Sequence, residues 1–166
     1  KIIKNGYEVI VYDDLSYGNK HFLPKSKSVT FIEGDIINKT YLSQVISEVD
    51  PFCVYHLAAI LSTKAEHNPQ LSNNVNIDGT KNILDICIEQ SKKQNKIIPF
   101  FFPSSIAVYN TKNSSNDIIK ESMCIENPLT HYGKAKLQCE KIGSQYEQAT
   151  KINGIDFRVI RFPGII

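Results

Sequence analysis

Apolar positions change period several times along the chain, and each change predicts an element. Tyr7 to Tyr12 (YEVIVY) reads as a strand, and Val29 to Glu33 (VTFIE) as a second short one. Leu42, Val45, Ile46 and Val49 then recur at helical spacing, with Asn38 placed to cap that helix. Phe52 to Leu57 (FCVYHL) is a nearly continuous apolar run, the pattern of a strand buried on both faces. Asn68 and Pro69 predict the cap and first turn of a long helix, whose apolar stripe includes Leu71, Val75, Ile83, Leu84, Cys87 and Ile88. Ile97 to Pro103 (IIPFFFP) is another buried strand. Thr130 caps a further helix running toward Thr150, with Leu137, Ile142 and Tyr146 inward, and Phe157 to Arg161 (FRVIR) is the last strand. Lys1 to Asn5 (KIIKN) has the pattern of the end of an amphipathic helix stopped by Gly6, and Asn110 to Asp117 that of a polar loop.

Strands alternating with helices imply right-handed parallel crossovers. The expected fold is therefore α/β, a doubly wound parallel sheet in a three-layer αβα arrangement, with ligands at the carboxyl ends of the strands. The 166 residues match one ordinary domain, and 42% apolar with 22% charged residues supports a packed core. The net charge of +2 is not concentrated in any Lys/Arg run, so nucleic acid is not the expected partner. No apolar stretch is long enough to cross a bilayer, and no basic-then-apolar leader is evident, so no membrane is expected. Cys53, Cys87, Cys124 and Cys139 form no CxxC pair. A metal site is not expected, and the thiols suit a reducing compartment such as the cytoplasm.

Candidate chemistry sits at the predicted strand ends. Asp13 closes the first strand and Asp14 follows. An acid there accepts hydrogen bonds from the adenosine ribose of a dinucleotide and repels the extra phosphate of NADP, which favours NAD. The competing reading is turn chemistry, since Asp-Asp before Leu-Ser-Tyr-Gly is an ordinary turn. Tyr132 and Lys136 are spaced i, i+4 and share a helix face. An ammonium beside a phenol lowers the phenol's pKa and lets it exchange a proton with a substrate alcohol, while Ser105 would hold the same oxygen. The competing reading is a surface tyrosine beside a solvated lysine, and chance alone supplies on the order of one such pair in a chain of this composition. Order supplies the context: Ser104-Ser105 follows a buried strand, the Tyr132 helix comes next, and a strand ending in Arg161-Phe162-Pro163-Gly164 closes the series.

These motifs resemble the extended short-chain dehydrogenase/reductase superfamily, also called the NAD-dependent epimerase/dehydratase family. The resemblance covers essentially all of the chain. It rests on Asp13-Asp14-Leu15-Ser16, Gly34-Asp35-Ile36, His56-Leu57-Ala58-Ala59, Asn76-Ile77-Asp78-Gly79-Thr80, Ser104-Ser105 and Tyr132-Gly133-Lys134-Ala135-Lys136. It implies an NAD-binding Rossmann-like domain over residues 1–166 with Ser105, Tyr132 and Lys136 as the catalytic set. By the same resemblance, Asp35 and Ile36 border the adenine, and Leu57, Ala58 and Ala59 lie along the phosphates and nicotinamide ribose. Lys136 also binds that ribose, Asn76 takes the proton-relay and scaffold position, and Phe162 and Pro163 approach the nicotinamide amide. His56 reads as a satisfied strand-end histidine, and the phenylalanines of IIPFFFP as core. Gly133 costs some helix stability, which the family tolerates.

Two groups within the superfamily compete. HLAAILS, PSSIAVY and DFRVIRFPGII resemble the short-chain L-threonine 3-dehydrogenases, which would place Ser62 beside Ser105 at the substrate. DDLSYG and Gly34-Asp35-Ile36 resemble the nucleotide-sugar 4-epimerases and dehydratases, most of which carry an asparagine near the position of Pro163. The expected partner is accordingly a small molecule, L-threonine or a UDP-sugar, with a homodimer expected for a full-length parent. No GxxGxxG-type turn occurs, and the expected first strand and C-terminal substrate domain are not seen. The chain therefore reads as a piece of a longer enzyme that is inactive alone, and a non-catalytic remnant stays open.

Overall fold

The computed structural model describes residues 1–109, 127–150 and 152–163. Strand β1 (Val9–Asp13) lies parallel to β2 (Val29–Glu33), with Val9 opposite Val29 and Asp13 opposite Glu33. Helix α1 (Lys39–Val49) leads to β3 (Val54–Tyr55). After it come α2 (Ser62–His67), α3 (Pro69–Ser72), a π-helical segment (Asn73–Asp78) and α4 (Gly79–Gln94). Strand β4 (Ile98–Ser105), α5 (His131–Ala149) and β5 (Ile155–Phe162) complete the order. Among the described residues the strands form two parallel sheets, β1-β2 and β3-β4-β5.

The helix starts follow from local chemistry. Asn38 accepts from the Tyr41 amide at 3.1 Å, Asn68 from the Leu71 amide at 3.0 Å, and Thr130 from the Gly133 amide at 2.9 Å. Each side chain satisfies an amide that the first turn leaves unbonded. At the start of the chain the KIIKN segment makes only a 3₁₀ turn (Ile3–Asn5), closed by Gly6 at a φ of 84°. The polar stretch Asn110 to Asp117 and Cys124 lie outside the described residues.

The core forms where β4 alternates. Ile98, Phe100 and Phe102 are buried with Leu42 and Ile46 of α1, Ile83, Leu84 and Cys87 of α4, and Ala135 and Cys139 of α5. Phe157 of β5 stacks near both phenylalanines, at 5.8 and 5.9 Å between ring centroids. On the other face Phe101 packs between Tyr55 at 5.5 Å and Phe162 at 6.3 Å, and Tyr55 stays 54% exposed. Two of the three expected layers are thus seen among the described residues.

Two sequence expectations need correction. The run Phe52–Leu57 is not a strand buried on both faces. Only Val54 and Tyr55 pair with β4, while Phe52 and Leu57 are 71% and 67% exposed. Phe52 and Leu57 fall outside the two paired residues of β3, which among the described residues has a neighbouring strand on one edge only. The long helix from Pro69 is also not uniform. Its wider π turn leaves the Asn76 carbonyl to accept the Thr80 hydroxyl at 2.5 Å and the Cys139 thiol at 3.1 Å.

His56, at the end of β3, is 3% exposed and pairs through Nε2 with the Thr80 hydroxyl at 2.8 Å. Burial, aided by the nearby Lys136 ammonium, pushes its pKa down from 6.5 to about 3. The folded state therefore holds it neutral where the unfolded chain begins to charge it. Its contribution to stability is complete above about pH 6.5 and is lost progressively as the pH falls toward 3, at about 1.4 kcal/mol per pH unit. Urea denaturation across that window should show the slope, and His56→Gln should flatten it. An unchanged slope in the variant would assign the acid sensitivity to other groups.

Candidate active site

Strand β4 ends at Ser105, whose hydroxyl accepts from the Ala107 amide at 3.2 Å and starts a 3₁₀ turn, Ile106–Val108. The first turn of α5 packs directly on that turn. A Cβ built on Gly133 would lie 2.1 Å from the Ala107 carbonyl oxygen, so only glycine permits the contact. The neighbouring Tyr132 is thereby brought beside the Ser105 turn. Its backbone amide donates to a carboxylate oxygen of Glu66 at 3.2 Å, and His131 Nε2 pairs with Asn73 Oδ1 at 3.0 Å. These bonds fasten the start of α5 to α2 and to the π segment.

Lys136 lies one turn further along α5 and is 4% exposed. Its ammonium donates to the Pro103 carbonyl at 2.8 Å, and sits 4.6 Å from the centre of the Phe102 ring and 5.7 Å from that of Tyr132. Burial lowers its pKa to about 8. Burial also holds the Tyr132 phenol above its ordinary value. That direction corrects the sequence expectation that Lys136 would lower it. The ammonium is committed to a backbone carbonyl rather than to the phenol, and the loss of water penalises the phenolate. The structure therefore brings Ser105, Tyr132 and Lys136 to one end of β4, with the phenol in its neutral form. The Ser104 hydroxyl beside them is buried without a partner among the described residues.

Asn76 is buried and acts on the loop after β3. Its Oδ1 accepts from the Ile60 amide at 2.7 Å, while Nδ2 donates to the Ile60 carbonyl at 3.0 Å and to Ser72 at 3.1 Å. The loop is fixed while Leu57 and Ala58 stay exposed and Ala59 half-buried. Ser62 opens α2, exposed, and shares a helix face with Glu66 four residues on. Phe162 lies opposite Ser105 in the β4–β5 register, and Pro163 follows it, exposed.

The acids expected at the adenosine end gather around β1. Asp13 is half-buried, and its Oδ1 accepts from the Leu15 amide at 2.8 Å. Asp14 accepts from the Ser16 amide at 3.0 Å and from its hydroxyl at 2.7 Å. The turn chemistry is thus present in full. A Cβ built on Gly18 would stand only 3.2 Å from Asp13 Oδ1, so the glycine leaves this carboxylate open to an incoming hydroxyl. Asp35 is exposed, but the Ile36 side chain is in the core against Gly79, so only its backbone is placed to border a ligand. The two ends of the site are linked by the Lys64 ammonium of α2, 3.3 Å from the centre of the Tyr17 ring. Sequence reasoning missed Glu66, the Gly133 contact and a bidentate Glu140–Arg161 pair. The spacing of Glu66 from Ser62, and of Glu140 from Lys136, gave the helix face but not the partner.

Residues 1–164 match the family model described as NAD dependent epimerase/dehydratase family. The chain belongs to this family. It is 31% identical over 162 residues to the mitochondrial L-threonine 3-dehydrogenase of Sus scrofa, covering 97% of this chain and 39% of that protein. A solved structure of a monomeric L-threonine 3-dehydrogenase from a metagenome matches with a TM-score of 0.72 at 33% identity, over 93% of this chain and 44% of that one. A UDP-glucose 4-epimerase from Brucella ovis, solved in complex with NAD, matches with a TM-score of 0.80 at 28% identity, over 96% and 45%. The chain thus spans less than half the length of each of these three relatives. No helix among the described residues is long and apolar enough to cross a membrane. The dinucleotide in the family's name fits the side chains present on one observation: a half-buried carboxylate ends β1 with only glycine beside its Oδ1, as an acceptor for ribose hydroxyls requires.

Gly133→Ala tests whether the close approach governs the site. Alanine gains about 1 kcal/mol in helix propensity, but overpacking against a backbone carbonyl costs about 1–3 kcal/mol. Net destabilisation is expected in chemical denaturation, whereas alanine at exposed Gln138 of the same helix should be neutral. Stabilisation by Gly133→Ala would show that the contact is not enforced.

Proposed function

We propose that the full-length protein is an NAD-dependent oxidoreductase of the extended short-chain type, and that it oxidises L-threonine at its hydroxyl-bearing carbon to 2-amino-3-oxobutanoate. The observation that carries the reading is the seating of α5 on the Ser105 turn, with Lys136 bonded to Pro103. NAD, when bound, supplies the hydride acceptor. Asp13 accepts from the adenosine ribose and, with Asp14, disfavours a 2′-phosphate. The segment Leu57, Ala58 and Ala59, fixed through Asn76, lies along the cofactor, with Asp35 and the Ile36 backbone at the adenine and Phe162 and Pro163 at the nicotinamide end. Ser105 holds the substrate oxygen, Tyr132 takes its proton at Oη, and Lys136 holds the ribose and supplies the positive charge that a forming phenolate needs.

L-Threonine is favoured by 31% identity across 97% of the chain to a threonine dehydrogenase. Charge supports the same choice. The Glu66 carboxylate sits at the Tyr132 amide on the face shared with Ser62, a setting that suits a substrate ammonium and opposes a diphosphate. A second reading, 4-epimerisation of a UDP-sugar, draws on the higher TM-score of 0.80 to an epimerase against 0.72 to a threonine dehydrogenase. Both chemistries employ the same Ser–Tyr–Lys set, so the catalytic residues do not separate them.

Incubation of the full-length protein with L-threonine and NAD should release NADH, while UDP-galactose should remain unconverted. Sugar conversion without net NADH would replace the first reading with the second. Tyr132→Phe should lower turnover by on the order of 10²-fold or more, and near-normal turnover would remove Tyr132 from its role. Asp13→Ser should narrow the preference for NAD over NADP in a binding titration. A parent protein that binds NADP more tightly would refute the assignment of Asp13.

A further inference from the structure

Three segments carry the site: the turn after β4, helix α5 and the end of β5. One side chain touches all three. The Arg161 guanidinium donates through Nε to Glu140 Oε1 at 3.0 Å and through Nη2 to Glu140 Oε2 at 2.7 Å, a two-point fork. Its Nη1 donates to the Tyr109 hydroxyl at 2.8 Å. Glu140 is 8% exposed and lies one turn beyond Lys136 on the same helix. Tyr109 directly follows the Ile106–Val108 turn and closes it, its amide bonded to the Ile106 carbonyl at 3.0 Å. Arg161 itself stands opposite Ser104 in the strand register, one residue before Phe162.

We propose that Arg161, gripped by Glu140 and Tyr109, is a positioning residue that locks the Ser105 turn, the Tyr132 helix and the end of β5 into one unit. The inference rests on the Ser–Tyr–Lys reading of the site. A partly buried ion pair adds little net stability over apolar residues of the same volume. What the planar fork adds is orientation, because two bonds to Glu140 and a third from the same guanidinium to Tyr109 together restrict the arrangement of the three segments. The Gly133 contact sets how near α5 comes to the Ser105 turn. The Arg161 network sets its rotation about that contact, on which alignment of Ser105 with Tyr132 depends. Small misplacements at this point are costly to rate and nearly silent in binding.

The test employs the full-length protein and two variants that leave no buried charge unpaired. Tyr109→Phe removes one hydroxyl and keeps the ring. Arg161→Lys keeps the charge and loses the fork. Turnover with NAD and L-threonine should fall about tenfold for Tyr109→Phe and about 100-fold for Arg161→Lys, with KM for NAD within about twofold of the parent. Amide exchange should quicken at residues 107–109 and in the first turn of α5, with β4 unchanged. Unchanged kcat in both variants, or a loss confined to KM for NAD, overturns the proposal. If the parent turns over neither L-threonine nor a UDP-sugar, the reading of the site has failed on its own. The exchange data then decide the network separately: local quickening supports the lock, and unchanged exchange removes it.

Discussion

The site depends on one close approach, the Ala107 carbonyl against the Cα of Gly133. Any side chain at position 133 would place its Cβ 2.1 Å from that oxygen. The relative placement of Ser105 and Tyr132 is therefore set backbone to backbone, where no rotamer can relax it. The far half of α5 is also closely seated, there against a side chain. A Cβ on Gly143 would lie 2.1 Å from the Phe157 ring, so the helix also rests closely on β5. A 19-residue helix held at two such points resists both tilt and sliding. Glycine lowers helix propensity by about 1 kcal/mol at each position, and the loss is offset by packing that a larger residue would prevent.

Behind that contact lies a buried polar knot. His56, Ser72, Asn76 and Thr80 are each at most 3% exposed, and every one is bonded. An unsatisfied buried polar group costs about 1–3 kcal/mol, so a knot of this kind is satisfied in one arrangement and penalised in others. Here the arrangement ties the loop after β3 to α4 through Asn76 and draws in α5 through the Cys139 thiol. The loop after β3 is thus fixed by groups that are themselves buried.

Features that depend on a few neighbouring residues were legible in the sequence. The caps at Asn38, Asn68 and Thr130 are local chemistry, and β2 spans Val29–Glu33 as its alternation predicts. Features decided by distant partners were not. Burial of Phe52 and Leu57 depends on what packs over them, and a run of apolar letters does not carry that information. The π segment answers to a thiol 63 residues away, and the grip on Arg161 to a carboxylate 21 residues earlier. The family motifs singled out Ser105, Tyr132 and Lys136, and the fold places all three toward one end of β4. The i, i+4 spacing gave a shared helix face but not the desolvation, and so it gave the wrong direction for the Tyr132 phenol.

That direction shapes how the site works. Burial raises the phenol and lowers the ammonium to about 8, because it penalises whichever form carries charge. Near neutral pH the ammonium still predominates, held by the Pro103 carbonyl, beside a neutral phenol. A phenolate forming at Tyr132 would meet that positive charge and the N-terminal end of the α5 dipole, so its desolvation is offset only while Lys136 remains protonated. Raising the pH removes the ammonium's proton first, at about 8, while the phenol, held above its ordinary value, keeps its own, so an alkaline site would offer no counter-charge to a phenolate. The backbone contact at Gly133 holds the start of α5, with Tyr132, against the Ser105 turn.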